Sequence, residues 1–379
     1  MNAGLADRVR RRLVSAAREP TPESVAAALR DEQHVAGHDT VLALVDRLRR
    51  DMLGAGPLEA LLALPGLTDV LVNGPADVFI DQGAGLVRTD VEFGTDDDVR
   101  ALAQRLASRA GRRLDDASPW VDARLPDGTR LHAVLAPVSR PGTVISLRIG
   151  AQRRFGLADL SAMLGPRGTQ ILRSLLDTRM AFVISGGTGT GKTTLLSALI
   201  DALDPAERII VVEDSSELRP EHAHVVGLES RPANVEGRGA IVMRDLVRQA
   251  LRMRPDRIVV GEVRGAEVAD LLAALNTGHE GGCATIHANA AADVPARMEA
   301  LAVTAGMPRP ALHSQLAAAL DVIIHLARDD GGARCIDQIA VLHRQPDGIV
   351  CAVPAMRRDG NDLVPDEAWN ELHTRLARR

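Results

Sequence analysis

Tyrosine is absent from this chain of 379 residues, which has four phenylalanines, two tryptophans and 2% aromatic residues in total. Proteins that bind single-stranded nucleic acid usually stack the bases on aromatic side chains in a basic groove. The formal net charge of −5 at pH 7 provides no basic surplus either. Both features argue against nucleic acid as a partner. The scarcity of aromatic residues also requires a core built from aliphatic side chains.

Cysteine and long apolar stretches are also scarce. The three cysteines, Cys283, Cys335 and Cys351, have no C-x-x-C spacing, so neither a disulfide framework nor a zinc site is predicted. No apolar run reaches the roughly 20 residues that a membrane helix needs, and no secretory signal is visible. Hydrophobic residues nevertheless make up 46% of the chain. We therefore expect a globular protein located in the cytosol.

Lysine is the rarest charged residue. Of the 45 lysines and arginines, only Lys192 is a lysine. It stands in a glycine-rich segment that matches the phosphate-binding pattern G-x-x-x-x-G-K-[ST] at every fixed position, namely Gly186-Gly187-Thr188-Gly189-Thr190-Gly191-Lys192-Thr193-Thr194. Lysine is a compact charge on a slim stem, whereas arginine is a broad planar fork. Lysine occurs in this chain only within the phosphate-binding pattern. We therefore predict a nucleoside triphosphate site in which Lys192 reaches the β- and γ-phosphates.

The residues on either side of this segment meet the structural requirement of the pattern. The sequence predicts an apolar strand at 180–185 and a helix at 192–203 with leucines at helical spacing. The loop amides then converge on an anion at a helix N-terminus, where the helix dipole favours negative charge. Thr193 is placed to offer its hydroxyl to Mg²⁺.

Two further parts are predicted before this region. Residues 1–50 should form a helical segment, whose apolar face of Leu5, Val9 and Leu13 either packs on protein or lies on an anionic membrane. Residues 51–150 contain short apolar runs separated by turn residues, with a helix at 97–110, which indicates a small α/β domain. A linker is expected over 151–160.

Residues 161–379 are predicted to form a second α/β domain. Its strands alternate with helices, which is the pattern of a parallel sheet with crossover helices. In such sheets, ligands bind beyond the carboxyl ends of the strands. Four predicted strands end at polar groups, which are the glycine-rich loop, Glu213, Glu262 and His287. This convergence is stronger evidence for a catalytic site than any single motif.

Phosphoryl transfer needs a bound metal, neutralised phosphate charge and an oriented water. Glu262 follows a short apolar strand and is predicted to hold the metal, directly or through its waters. Glu213 is the candidate to orient or deprotonate the attacking water, although carboxylates in such positions are often helix caps or salt-bridge partners. His287 is expected within reach of a γ-phosphate, although a lone histidine is more often structural.

Four segments together resemble the secretion ATPases of type II and type IV systems. In order and spacing they match the Walker A loop, the Asp box, the Walker B motif and the His box of that superfamily, at 186–194, 212–218, 251–265 and 277–289. Four more segments resemble the CpaF/TadA branch, which drives Flp/Tad pilus assembly, at 56–59, 70–75, 121–131 and 145–148. His132 departs from the asparagine expected in much of that branch.

This resemblance implies a fold, an activity and an assembly. The fold is a RecA-like P-loop NTPase domain with a parallel-sheet core, preceded by a smaller α/β domain and a helical segment. The protein would bind ATP and Mg²⁺, hydrolyse ATP, and form a homo-hexameric ring. That ring would lie at the inner face of the cell membrane, beside an inner-membrane platform protein. Family members clamp the phosphates with arginines from the N-terminal domain and linker, and the matching positions are Arg124, Arg130 and Arg148.

Two other functions stay open. RecA-like rings also include DNA translocases and helicases, against which the low aromatic content argues. A regulatory subunit that binds ATP without hydrolysing it would not need both strand-end carboxylates. Hydrolysis stimulated by DNA would favour the first alternative, and the absence of phosphate release would favour the second. The transported substrate and the direction of transport do not follow from the sequence.

We expect Lys192→Ala to abolish ATP hydrolysis while leaving the fold intact. Even Lys192→Arg should be severely impaired, because a guanidinium does not fit where a slim ammonium reaches between phosphates. Steady-state phosphate release measures both effects, with circular dichroism as the control for folding. Robust turnover by the arginine variant would contradict this explanation of why the chain has a lysine only here.

Overall fold

The computed structural model describes residues 54–149 and 155–377, except 84, 232, 234–237, 279 and 330, together with 20–32 and scattered other residues before 54. The chain divides into two units, Met1–Arg153 and Arg154–Arg379. Part of the predicted linker at 151–160 lies outside the described residues. Among the helices of the described part, none is both long and apolar enough to cross a membrane.

The first unit opens with the helical segment that contains α1 (Pro22–Asp31). The Ser24 N–H donates to Thr21 Oγ1 at 3.2 Å and the Thr21 N–H donates to Ser24 Oγ at 2.9 Å, which closes a capping box. The predicted apolar face is buried in a cluster with residues of α1, and its members are Leu5, Val9 and Leu13. This face therefore packs on protein. Other residues of the predicted first helix lie outside the described part.

The rest of the first unit is an antiparallel sheet with a helix packed against it. A 3₁₀ turn at Gly56–Leu58 leads into the short α2 (Glu59–Leu62), and α3 spans Asp96–Arg109. The six strands are β1 (Asp69–Asn73), β2 (Val78–Asp81), β3 (Leu86–Arg88), β4 (Trp120–Arg124), β5 (Arg130–Val134) and β6 (Val144–Arg148). Their order across the sheet is β3-β2-β1-β6-β5-β4. The apolar face of α3 joins the core of this sheet through Val99, Leu102, Ala103 and Leu106.

The second unit is built on a nine-stranded mixed sheet. Its strands are β7 (Phe182–Gly186), β8 (Ile209–Glu213), β9 (Val225–Glu229), β10 (Arg257–Val260), β11 (Cys283–His287), β12 (Val322–Arg328), β13 (Arg334–Arg344), β14 (Val350–Asp359) and β15 (Asp362–Pro365). The order is β15-β14-β13-β12-β7-β11-β10-β8-β9. Strands β12 to β9 in this order are parallel, as predicted, whereas β13, β14 and β15 extend the sheet with antiparallel pairs.

Helices cover both faces of this sheet. They are α4 (Ser161–Asp177), α5 (Lys192–Asp201), α6 (Met243–Ala250), α7 (Glu267–Leu275), α8 (Val294–Thr304), α9 (Arg309–Ala319) and α10 (Trp369–Ala377). Residues of α4, α5 and α10 share one apolar cluster, and residues of α6 to α9 share another. Alternate residues of β7 enter the two clusters, with Phe182 in the first and Val183 in the second. The parallel strands are therefore apolar on both faces.

The amino ends of the parallel strands are held by a buried ion pair. Arg257, the first residue of β10, is 2% exposed. Its guanidinium donates to Glu207 at 2.5 and 3.2 Å, and also to the carbonyl oxygens of Leu176 at 2.8 Å and Gly281 at 3.3 Å. These partners replace the water that the buried cation loses, which is the condition for such a pair to be tolerated.

We expect Glu207→Gln to destabilise the second unit by about 3–5 kcal/mol, because it leaves the buried guanidinium of Arg257 without its countercharge. Urea denaturation of the variant measures this loss. Arg357→Gln is the matched control, since it removes a more exposed ion pair with Asp366 in the same unit and should cost less than about 1 kcal/mol. Equal losses of stability in the two variants would contradict the expectation that the buried Arg257 pair contributes more than the exposed Arg357 pair.

Candidate active site

The carboxyl ends of neighbouring parallel strands form the candidate site. In the β-ladder, Gly186 at the end of β7 lies opposite His287 at the end of β11 and opposite Leu326 of β12. Strands β8 and β10 pair up to Val212 and Val260, so Glu213 and Gly261 follow side by side. The register therefore brings the glycine-rich loop, the Glu213 strand, the Glu262 strand and His287 to one edge of the sheet.

The glycine-rich loop needs its glycines for close approach and for backbone conformation. A Cβ on Gly186 would lie 2.4 Å from the carbonyl oxygen of Leu326. Gly191 caps the N-terminus of α5 in the left-handed region, with φ of 98°, where L-amino acids with side chains are strained. The loop thus turns directly into the helix, and the amides at that N-terminus form a site for an anion.

Lys192 is 7% exposed and folded against its own loop. Its Nζ donates to the carbonyl oxygens of Gly186 at 2.9 Å and Gly187 at 2.8 Å, and it lies 3.5 Å from His287 Nδ1. Burial lowers the pKa of Lys192, with Glu262 opposing the shift and Arg264 adding to it. Thr193 follows in the first turn of α5.

The Glu262 carboxylate is held by His287 and Arg264. Its Oε1 lies 3.0 Å from His287 Nε2, and its Oε2 accepts a hydrogen bond from Arg264 Nη2 at 2.5 Å. Burial lowers the pKa of His287 and nearby Lys192 lowers it further, against the opposing effect of Glu262. In its neutral form, the imidazole can donate to Glu262 from Nε2 and accept at Nδ1.

The loop after β10 is fixed by a buried carboxylate that sequence reasoning missed. Glu267 is 5% exposed, and its Oε1 accepts from the N–H groups of Arg264 at 2.6 Å and Gly265 at 2.8 Å. Thr285 of β11 contributes as well, because its hydroxyl donates to the Gly261 carbonyl at 2.5 Å. A glutamate immediately before the apolar residues of 268–275, where a helix N-terminus favours acidic side chains, was the available signal for this capping role.

Glu213 is buried beside the Glu262 strand. It is 6% exposed, and its Oε1 accepts from the N–H groups of Glu217 and Leu218, both at 2.9 Å. The side chain fills the space over Gly261, where a Cβ would lie 2.7 Å from Glu213 Cγ. Burial raises the pKa of Glu213 to about 7, and the two amide hydrogen bonds offset only part of that rise. A carboxylate with a pKa near neutrality suits a general base.

The C-terminal region, to which sequence reasoning assigned no role, also reaches the loop. Arg328 and Arg334 each donate to the carbonyl oxygen of Gly189, at 3.1 Å in both cases. Buried Ser185, just before the loop, pairs with His325 Nδ1 of β12 at 2.9 Å. Two arginines on either side of a Gly-Gly turn, after an apolar strand, were the available sequence signal.

The three arginines implicated by the family resemblance lie in the first unit and in one row. Arg130 is directly opposite Arg124 on β4 and directly opposite Arg148 on β6. Arg130 pairs with Asp122 at 2.9 Å, and Arg148 lies 3.4 Å from Asp69. Like charges directly opposite each other destabilise a sheet. Asp122 and Asp69 offset part of the positive charge of this row.

Comparison with known proteins gives this site a family. The sequence profile described as "Type II/IV secretion system protein" matches residues 51–359. The chain belongs to the type II/IV secretion ATPases. This secretion ATPase is 54% identical over 331 residues to a putative conjugal transfer protein of Mycobacterium tuberculosis, covering 85% of this chain and 94% of the relative. It is 32% identical over 304 residues to the type IV secretion system protein PtlH of Bordetella pertussis, covering 72% and 89% of the two chains.

Solved structures agree with the fold of this secretion ATPase. The Legionella pneumophila ATPase DotB matches with a TM-score of 0.52 and 20% identity, covering 77% of this chain and 80% of DotB. The pilus retraction motor PilT with bound ADP matches with a TM-score of 0.51 and 20% identity, covering 82% and 84%. The prediction of a RecA-like domain preceded by a smaller α/β domain is confirmed.

We expect Glu213→Gln to bind nucleotide but to lose turnover by about 10²-fold or more, because an amide cannot accept the proton. It should also stabilise the secretion ATPase at high pH. The pKa of Glu213 rises on folding from the ordinary value of 4.5 to about 7, so the folded state holds this proton more tightly. The free energy of unfolding therefore falls as the pH rises through that interval. Differential scanning calorimetry should therefore show a larger gain in Tm at about pH 8.5 than at about pH 5.5.

Glu367→Gln serves as the comparison for this variant, since Glu367 is an exposed carboxylate of the same unit outside the candidate site. Near wild-type turnover by Glu213→Gln would place the base elsewhere, with Asp214 or Glu217 as the next candidates. A gain in Tm that is independent of pH would refute the raised pKa.

Proposed function

We propose that this protein is a Mg²⁺-dependent ATPase motor that powers pilus assembly or protein secretion across the bacterial envelope. One observation carries the proposal. A buried carboxylate with a pKa of about 7, Glu213, lies beside the strand that leads to Glu262, at the same edge as Lys192. Binding alone does not require such a base, whereas hydrolysis does.

Each residue of the candidate site has a separate role in the proposed hydrolysis of ATP. Lys192 and the loop amides neutralise the β- and γ-phosphates of ATP. Glu213 accepts the proton of the attacking water and orients it. His287 contacts both Lys192 and Glu262, so it links the phosphate-binding lysine to the metal-binding carboxylate.

The donor set also fits Mg²⁺, which prefers oxygen ligands and takes only one or two carboxylates in addition to substrate phosphates. The Thr193 hydroxyl and Glu262 would hold it. When bound, Mg²⁺ neutralises charge on the β- and γ-phosphates.

The arginine row of the first unit supplies the coupling between chemistry and movement in this proposal. Arg124, Arg130 and Arg148 would close on the phosphates when the N-terminal domain swings toward the nucleotide, and would release after phosphate leaves. Hydrolysis then depends on domain motion, as in other enzymes that complete their site by closure. The motor would work as a homo-hexameric ring at the inner face of the cell membrane, against an inner-membrane platform protein.

The proposed branch is CpaF/TadA, the drive of Flp/Tad pili. It rests on the four N-terminal segments that resemble that branch, and His132 is the one departure noted. A conjugation apparatus is the second candidate, because the relative at 54% identity is called a putative conjugal transfer protein. Affinity capture from the native host distinguishes the two, since a pilin platform protein supports the first and a DNA-processing complex supports the second.

Phosphate release from ATP, with and without Mg²⁺, tests the activity, and Arg148→Ala tests the coupling. Arginines supplied in this way contribute about 10³-fold or more to other phosphoryl transfers, so we expect a loss of at least about 10²-fold in turnover. Arg88→Ala is the matched control, because Arg88 pairs with Asp77 on the same sheet, away from the row. Wild-type turnover by Arg148→Ala would remove the clamp from the mechanism.

A further inference from the structure

Two arginines converge on one carbonyl oxygen of the phosphate-binding loop. Arg328 is the last residue of β12 and Arg334 is the first residue of β13, and the two lie directly opposite each other in the ladder. Arg328 Nη2 and Arg334 Nε each donate to the Gly189 carbonyl at 3.1 Å. Because like charges in opposite positions destabilise a sheet, a hairpin that needed only to fold would avoid this pair.

The turn between the two arginines holds them toward the loop. Arg328 Nη1 donates to the Gly332 carbonyl at 2.8 Å, so one guanidinium bridges its own turn and the loop. Asp329 Oδ1 accepts from the N–H groups of Gly331 at 3.0 Å and Ala333 at 2.8 Å, and its Oδ2 accepts from Arg358 of β14 at 3.3 Å. The turn is therefore preorganised by contacts that do not involve the loop.

Arg334 also lies along the loop itself. A Cβ on Gly191 would be 3.3 Å from Arg334 Cδ, so the stem of the arginine passes over the residue that caps α5. Gly189 faces the other arginine, since a Cβ on Gly189 would lie 3.6 Å from Arg328 Nη2.

We propose that Arg328 and Arg334 are positioning residues that set the phosphate affinity of the loop. Two charged donors on the Gly189 carbonyl polarise the Gly189–Thr190 peptide, and hydrogen bonds in a chain strengthen one another. The Thr190 N–H thereby becomes a stronger donor to phosphate. The β12–β13 hairpin is then a device through which the C-terminal region tunes nucleotide binding. This inference rests on the proposed function, in which the loop binds the phosphates of ATP.

Binding of ATP and of inorganic pyrophosphate by the full chain tests the proposal, measured by titration calorimetry on Arg328→Met, Arg334→Met and the double variant. Because the arginines act through the loop and not on the nucleoside, both ligands should weaken by the same factor. We expect about threefold for each single variant and about 30-fold for the double variant. The loss in the double variant exceeds the product of the two single losses because either arginine alone still polarises the Gly189 carbonyl oxygen.

Two further variants complete the design. Arg334→Lys keeps a charged donor and should recover part of the affinity. Arg344→Met is the matched control, because Arg344 ends the same strand and donates to Ser314 Oγ at 3.1 Å. Turnover at saturating ATP should fall far less than affinity. If a methionine variant fails to fold by calorimetry, the corresponding glutamine variant replaces it.

The outcomes separate the proposals. Weakening of ATP but not of pyrophosphate would overturn the inference, since the arginines would then contact the nucleoside. Unchanged affinity in the double variant would overturn it as well. A wild-type chain that binds neither ligand would refute the proposed function itself, whatever the variants do.

Discussion

The register of the parallel strands is the constraint on which the site depends. Because β12, β7 and β11 are paired so that Leu326, Gly186 and His287 form one row, the glycine-rich loop starts beside the histidine. Because β8 and β10 pair up to Val212 and Val260, Glu213 enters the space over Gly261. A slip of one residue in a strand would turn its side chains to the other face. The strands are apolar on both faces, so burial alone does not forbid such a slip, and the close packing at the glycines helps to define the alignment.

Buried charge is compensated at the amino ends of the parallel strands but not fully at their carboxyl ends. At the amino end, the Arg257 guanidinium is matched by Glu207 and two carbonyl oxygens, so the buried charge is satisfied. At the carboxyl end, burial raises the pKa of Glu213 to about 7 and lowers the pKa of Lys192. The charged forms there are destabilised in the folded chain. Such perturbed groups cluster at functional sites, where stability is given up for reactivity.

Much of this architecture could be predicted from the sequence. Strong apolar periodicity and flanking turns located the strands that lead to the loop, Glu213, Glu262 and His287, and the helix predicted at 192–203 is observed as α5 (Lys192–Asp201). The edge strands β3 and β4 were not predicted, because they are short and exposed residues such as Leu86 and Trp120 give them little apolar pattern. The contacts of Arg328 and Arg334 with the loop could not be predicted, since they depend on β12 pairing with β7 across a long separation in sequence.

In the proposed mechanism, burial makes Glu213 a base that titrates near neutrality. A ¹³C NMR titration of the glutamate side-chain carboxyl carbons in the full-length protein tests this directly, with the Glu213 signal assigned by its loss in Glu213→Gln. We expect a midpoint at about pH 7 for this carbon. A midpoint at or below the ordinary value of 4.5 for a glutamate would contradict it.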